Sequence, residues 1–137
     1  MSLINKEQEL FEWLKLNVYS DLVMSRNPIS RWDCYSPERK HRIELKCRQK
    51  HYNDLMVEKP KYDAIIAECK RHNDVPVYIN STPVGIYAFD MREHNGFWEL
   101  RRMPKTTHFS QRHFITKEVG YFYTEDSHPL IIFNKSC

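Results

Sequence analysis

The apolar residues nearest the start of the chain recur every three or four positions. Leu10, Phe11, Leu14 and Val18 follow this spacing, which is that of one face of an α-helix. An amphipathic helix is therefore predicted over residues 5–19. Its apolar stripe is expected to pack against the rest of the molecule.

Strict alternation of polar and apolar residues replaces the helical spacing between Arg42 and Arg48. This pattern predicts a β-strand, because successive side chains of a strand point to opposite faces. Ile43, Leu45 and Cys47 then share the apolar face. The other face carries four charged side chains, which are Arg42, Glu44, Lys46 and Arg48.

The remaining elements follow from the same two periodicities. A short aromatic strand is expected over residues 29–35, and a helix is expected after Pro60. The buried stripe of that helix is Tyr62, Ile65, Ile66 and Cys69. Later strands are predicted at residues 75–79, 84–89, 97–101, 120–123 and 130–133, with a loop at 103–117. The order helix, strand, strand, helix, strand, strand predicts a single α/β domain over residues 1–137, with a central mixed sheet.

Basic residues are concentrated in two segments, although the 137-residue chain has a net charge of only +3. Residues 39–61 contain eight Lys and Arg against three acids, and residues 101–117 contain five against none. Together they predict one positive surface suited to a phosphate backbone. For either segment alone, ordinary solvated charge is the preferred interpretation.

The cysteines and the N-terminus indicate the compartment. The four cysteines are isolated, which is typical of reduced, mostly buried thiols. A zinc site built from Cys47 with His51 and Cys69 with His72 is the alternative. No apolar leader and no run long enough to span a bilayer are visible, so a cytoplasmic protein without membrane contact is expected.

Two carboxylates and a lysine form the strongest candidate for chemistry. Glu44 and Lys46 are two residues apart, so both project from the same face of their strand. Asp33 lies eleven residues before Glu44, and a hairpin of that length can bring the two together. Trp32 and Cys34 are then expected to point the other way, towards the apolar side. The alternatives are a solvent-facing Glu44–Lys46 pair, or Asp21 or Asp54 in place of Asp33.

Glu7 is a further candidate, because it stands three and four residues before Leu10 and Phe11 on their helical face. A carboxylate that faces inward is costly unless it is paired or binds a metal. A position at the frayed start of the helix, where the carboxylate costs nothing, is an equal alternative.

The segment Asp33, then Glu44-Leu45-Lys46, resembles the motif of the PD-(D/E)XK, or restriction-endonuclease-like, nucleases. The order of elements over residues 5–90 agrees with that family. The opening Glu7-Gln8-Glu9-Leu10 resembles the first helix of its archaeal Holliday-junction resolvase branch, whose leading glutamate joins the site. Trp32 stands where the family often has proline. The segments 60–63 and 104–107 also resemble small bacteriophage proteins.

This resemblance implies a restriction-endonuclease-like fold and metal-dependent hydrolysis of phosphodiester bonds, in DNA more readily than in RNA. Asp33 and Glu44, with the Leu45 carbonyl, would bind Mg²⁺ or Mn²⁺. Lys46 would orient the attacking water or neutralise charge on the phosphate. Glu7 would join this catalytic group, and cutting both strands of a duplex would call for a homodimer. The candidate nucleic-acid contacts are Arg48, Gln49, Lys61, Arg101, Arg102, Lys105 and Arg112.

Two other functions compete with a nuclease. One is a nucleic-acid-binding module that keeps the fold without cleaving, and the other is a structural protein, such as a phage component, in which the charged residues form a surface ion pair. No His-Glu-x-x-His, Gly-x-Ser-x-Gly, Walker or dinucleotide motif is present. The run Tyr121-Phe122-Tyr123 is expected to pack in the core or at an edge, with base stacking as the alternative.

Overall fold

The computed structural model describes residues 4–104 and 114–133, which contain two α-helices and nine strands. The helices are α1 (Glu7–Asn17) and α2 (Lys59–His72). The first five strands are β1 (Val23–Met24), β2 (Cys34–Ser36), β3 (His41–Cys47), β4 (Asp54–Glu58) and β5 (Val75–Ser81). The last four are β6 (Gly85–Asp90), β7 (Glu99–Pro104), β8 (Phe114–Tyr123) and β9 (His128–Ile132). Neither helix is both long and apolar enough to cross a membrane.

Six of these strands form a central mixed sheet in the order β1-β2-β3-β5-β6-β9. β3 and β5 are parallel, and the other neighbours are antiparallel. Leu10 and Leu14 of α1 belong to the same core cluster as Ile43 and Leu45 of β3. The alternation along β3 and the helical spacing in α1 therefore produce one hydrophobic core on this side of the sheet.

The second helix covers the opposite side. Pro60 lies in its first turn, and it ends at Asn73, whose φ of 57° is the left-handed conformation that asparagine adopts readily at a helix end. Ile65 and Cys69 are buried in a second cluster with Tyr78 of β5. The helices thus cover both faces of the sheet, and this arrangement agrees with the predicted α/β sandwich.

A three-stranded antiparallel sheet, in the order β4-β8-β7, completes the second core cluster and differs from the prediction. β4 was missed because its five residues lie between polar flanks. The predicted loop at residues 103–117 was wrong at both ends, since β7 extends to Pro104 and β8 begins at Phe114. The end of β7 and the start of β8 pair only with each other, and we call this two-stranded part the β7–β8 ribbon. Because β4 does not extend beside it, the ribbon has no buried face, and its sequence shows no alternation of apolar and polar residues.

The strand predicted over residues 29–35 is shorter and later than expected, because Ser30 donates to the Asn27 carbonyl in a turn. Trp32 and Cys34 do not share one side. Trp32 packs against the second core cluster, whereas Cys34 is buried in the first. The ring of Trp32 lies 5.0 Å from the guanidinium carbon of Arg42, which is a cation–π contact.

Candidate active site

The hairpin of β2 and β3 positions Asp33. The Asp33 backbone N–H donates to the Ile43 carbonyl at 2.8 Å, just before β2 begins. Its side-chain Oδ2 accepts a hydrogen bond of 2.7 Å from the N–H of Leu45. The carboxylate is therefore held against the middle of β3, beside Glu44.

Glu44 lies on the face of β3 opposite the α1 core, where it is paired in register with Tyr78 of β5. The pKa of Glu44 is raised to about 8, first by burial and then by the neighbouring charge of Asp33, while the charge of Lys61 opposes the shift. The two carboxyl groups thus share one small, partly dehydrated space.

Glu7, in the first turn of α1, is exposed but lies within electrostatic reach of the same group. Its pKa is raised, first by partial loss of hydration and then by the charge of Asp33. The charges of Lys61 and Lys46 oppose this shift. Asp33 is therefore near enough to interact electrostatically with both Glu7 and Glu44.

Two lysines flank the carboxyl groups. Lys46 is exposed on β3. Its pKa is lowered, first by partial loss of hydration and then by the charges of Arg48 and Lys61. Lys61, near the start of α2, is within electrostatic reach of Glu7, Glu44 and Lys46. The site therefore combines clustered anions with cations that can approach a phosphate group.

The donor set fits a hard cation such as Mg²⁺, which is commonly held by one or two carboxylates and several waters. In the residues that the structure describes, no group of three or more His, Cys, Asp or Glu side chains is arranged to bind a metal ion. The two-carboxylate set of Asp33 and Glu44 is compatible with that finding. The Leu45 carbonyl suits it as well, because carbonyl and N–H of one strand residue point to the same side and this N–H points to Asp33.

The alternatives to Asp33 lie elsewhere. Asp21 accepts hydrogen bonds from the Ser36 hydroxyl at 2.8 Å and the Glu38 N–H at 2.7 Å, so it fixes the turn after β2. Asp54 is exposed at the start of β4, opposite Tyr123. Cys34, Cys47 and Cys69 are free thiols, with Cys34 and Cys69 buried.

Most predicted nucleic-acid contacts are exposed. Gln49 follows the end of β3, and Arg101 and Arg102 lie on β7 with their side chains accessible. Lys61 is exposed and lies within electrostatic reach of Glu7 and Glu44. Lys105 and Arg112 lie outside the described residues.

Arg48 makes hydrogen bonds within the protein that its sequence pattern did not indicate. Its Nε donates to Asn80 Oδ1 at 3.0 Å, and its Nη2 donates to the Met56 carbonyl at 2.7 Å and the Tyr78 hydroxyl at 3.0 Å. These bonds link β3, β4 and β5. The signal for this network was the presence of Tyr78 and Asn80 in an otherwise apolar strand, since buried polar groups require partners.

The raised pKa of Glu44 predicts how the metal-free protein responds to pH. A carboxyl whose pKa rises from 4.5 to about 8 on folding contributes stability below the lower value. That contribution is lost as the pH rises through the higher one. Glu44→Gln cannot ionise, so its melting temperature in EDTA should fall less than that of the parent between about pH 5 and about pH 9. Parallel melting curves for the two proteins would contradict the shift.

The fold is similar to that of a solved structure. Over 90% of this chain and 87% of the other, the structure matches Hjc from Archaeoglobus fulgidus, a Holliday junction resolvase from an archaeal hyperthermophile, with a TM-score of 0.57 and 11% sequence identity. This likeness confirms the predicted fold class, an α/β sandwich with a central mixed sheet flanked by helices. No protein-family model matches the sequence, and no curated protein matches it.

Proposed function

We propose that this chain is a metal-dependent nuclease that hydrolyses phosphodiester bonds in DNA. The observation that carries the proposal is the position of the Asp33 carboxylate, which accepts a hydrogen bond of 2.7 Å from the Leu45 N–H and so lies beside Glu44 on β3. The charge of Asp33 acts to raise the pKa of both Glu44 and Glu7. Clustered carboxylates repel one another and would also repel a phosphate backbone, so a surface that only binds nucleic acid gains nothing from them. A bound cation removes both penalties.

Each residue of the site has a role that follows from its position. Asp33 and Glu44, with the Leu45 carbonyl, would hold Mg²⁺ or Mn²⁺. Such an ion, when bound, acidifies a water molecule and polarises the phosphate. Lys46 projects from the same strand face as Glu44, where its ammonium can orient the water or neutralise charge on the phosphoryl oxygens.

Glu7 and Lys61 complete the site from the two helices. Glu7 lies within electrostatic reach of Asp33 and would add negative charge that attracts the cation. Lys61 offsets the negative charge of Glu7 and Glu44 and can contact a non-bridging phosphate oxygen. The helices thus contribute one anion and one cation to a site that is centred on β3.

A cleavage assay tests the proposal directly. Linear, circular and branched DNA are incubated with the protein in Mg²⁺, in Mn²⁺ or in EDTA, and the products are separated by size. Cleavage that needs a divalent ion is expected. Binding without cleavage in every metal would instead identify a non-cleaving nucleic-acid-binding or structural protein. Circular DNA distinguishes endonuclease from exonuclease action, and the branched substrate tests the activity named for Hjc.

The proposal extends to assembly and origin. Coordinated cutting of two strands needs two sites, so a homodimer is proposed for that activity, and the measured mass in solution tests it. The bacteriophage origin stays a prediction that rests on the sequence segments 60–63 and 104–107 alone.

The salt dependence of DNA binding is a further prediction. Each phosphate contact contributes about −0.9 to the slope of log K against log salt for duplex DNA, so Arg101→Gln with Arg102→Gln should flatten the slope by up to about two units. Binding is measured in EDTA by fluorescence anisotropy. Arg71→Gln, an exposed arginine at the end of α2, is the matched control and should leave the slope unchanged. If Arg71→Gln flattened the slope as much as the double change at Arg101 and Arg102, the DNA path would lie elsewhere.

A further inference from the structure

A cleft lies between the β7–β8 ribbon and the segment that follows β3. Its volume is 470 Å³, and its charged and aromatic lining consists of Arg48, Arg101, Arg102, Asp54, Tyr52 and Tyr121. We propose that this cleft binds a single-stranded stretch of nucleic acid next to the scissile phosphate. The scissile phosphate is positioned by the proposed nuclease site, and in this respect the proposal rests on the proposed function.

The cations of the cleft are held in place by the fold. Three hydrogen bonds fix the guanidinium of Arg48, and Arg101 donates to the Tyr121 hydroxyl at 2.9 Å. Three arginines face one acid, Asp54, so the lining carries a net positive charge. Positive groups that are already positioned favour a phosphate chain without the entropy cost of ordering them on binding.

The tyrosines supply the second half of the recognition. Tyr52 is 52% exposed and lines the cleft, so its ring is accessible to a ligand there. Tyr121 is anchored through its hydroxyl, which donates to Glu99 at 2.8 Å and accepts from Arg101. Aromatic rings beside a basic groove are what single-stranded nucleic acid requires, because unpaired bases stack on them irrespective of sequence.

The position of the cleft connects it to the catalytic group. Arg48 directly follows β3, two residues after Lys46, and its N–H donates to the Ser81 carbonyl at 2.8 Å, so the backbone stays extended and the two residues are about 7 Å apart. A strand whose phosphate meets Lys46 therefore continues directly to Arg48. A cavity of 470 Å³ is of the size that holds a small organic ligand, and a base-paired helix cannot enter it. Base faces are also hidden inside a duplex, so only an unpaired strand can use the tyrosines.

Anisotropy titrations with the full chain in EDTA test this proposal. The probes are a labelled oligodeoxythymidylate and a blunt-ended duplex of the same length. Tyr52→Ala should weaken binding of the single strand by about fivefold to a hundredfold, the effect of losing one stacked base, and change duplex binding by less than about twofold. Tyr52→Phe, which retains the ring, should restore single-strand binding.

Tyr123→Ala is the matched control, because Tyr123 is partly exposed and lies outside the cleft. It should leave both affinities unchanged. An unaltered affinity of Tyr52→Ala for the single strand, or an equal loss on both probes, overturns the proposal. These titrations contain no metal, so they do not depend on cleavage. Tyr52-dependent binding in a protein that never cleaves DNA would overturn the nuclease function and leave the single-strand site standing.

Discussion

Glu44→Ala and Lys46→Ala are each expected to abolish the proposed DNA cleavage while the protein remains folded. Glu44 is one of the two carboxylates that would hold the metal, and Lys46 is the cation on the same strand face. Loss of a single group that stabilises a transition state typically lowers kcat by about 10²–10³-fold, and loss of a metal-binding carboxylate should cost at least as much. Initial rates on a fluorescent DNA substrate in Mn²⁺ provide the measurement.

Glu12→Ala and Lys70→Ala are matched controls for these two changes. Both residues are exposed on helices, Glu12 on α1 and Lys70 on α2, and both variants should cleave at the parent rate. Circular dichroism confirms that each protein is folded before its rate is compared. Cleavage by Glu44→Ala or Lys46→Ala at the parent rate would show that the site is elsewhere.

Asp74→Ala is expected to destabilise the protein by about 3–5 kcal/mol, the cost of breaking a buried ion pair. Its carboxylate is only 1% exposed and accepts a hydrogen bond of 2.6 Å from Arg42 Nε. Without Asp74, the Arg42 guanidinium stays between the rings of Trp32 and Tyr35 with no buried counter-charge. The midpoint of urea denaturation should fall without a change in slope.

Asp63→Ala is the matched control, because Asp63 pairs with Lys59 at 2.8 Å on the surface of α2 and its side chain is 56% exposed. A surface pair contributes at most about 1 kcal/mol. Similar losses for the two aspartates would contradict the view that burial makes the Arg42–Asp74 pair important. That pair joins the end of α2 to the hairpin that carries Asp33, so its loss should also reduce catalytic activity.

Local periodicity predicted the parts of the fold in which one face of an element is buried and the other is not. The stripe of Leu10 and Leu14 indicated α1, and the alternation around Ile43 and Leu45 indicated β3. The predicted strands at residues 97–101 and 120–123 overlap β7 and β8, but the far ends of both strands were missed because residues such as Phe114 and Ile115 are exposed, so burial does not organise the pattern there. Which strands pair across the sheet depends on contacts between distant residues, and no local pattern contains that information.

The candidate site shows the same division. The two-residue spacing of Glu44 and Lys46 was sufficient to place them on one face of a strand. The approach of Asp33 required the hairpin register, and the electrostatic interaction of Glu7 with Asp33 required the packing of α1 on the sheet. Arg48 has the same charge as Lys46 and was predicted on the same strand face, yet its guanidinium bonds to Asn80, Met56 and Tyr78 inside the protein. The sequence pattern did not reveal that the fold holds this cation in place.

The hydrogen bond from the Leu45 N–H to Asp33 Oδ2 extends the pairing of β2 with β3 by one bond, in which a side chain replaces the backbone. β2 pairs with Ile43 through Cys34, and the Asp33 carboxylate takes the next donor in place of a peptide carbonyl. The position of the Asp33 carboxylate is therefore set by the register of the β2–β3 hairpin. A one-residue slip between β2 and β3 would replace this carboxylate with the side chain of Trp32 or Cys34. Insertions between β2 and β3 can therefore be accommodated only if they preserve the alignment of the two strands.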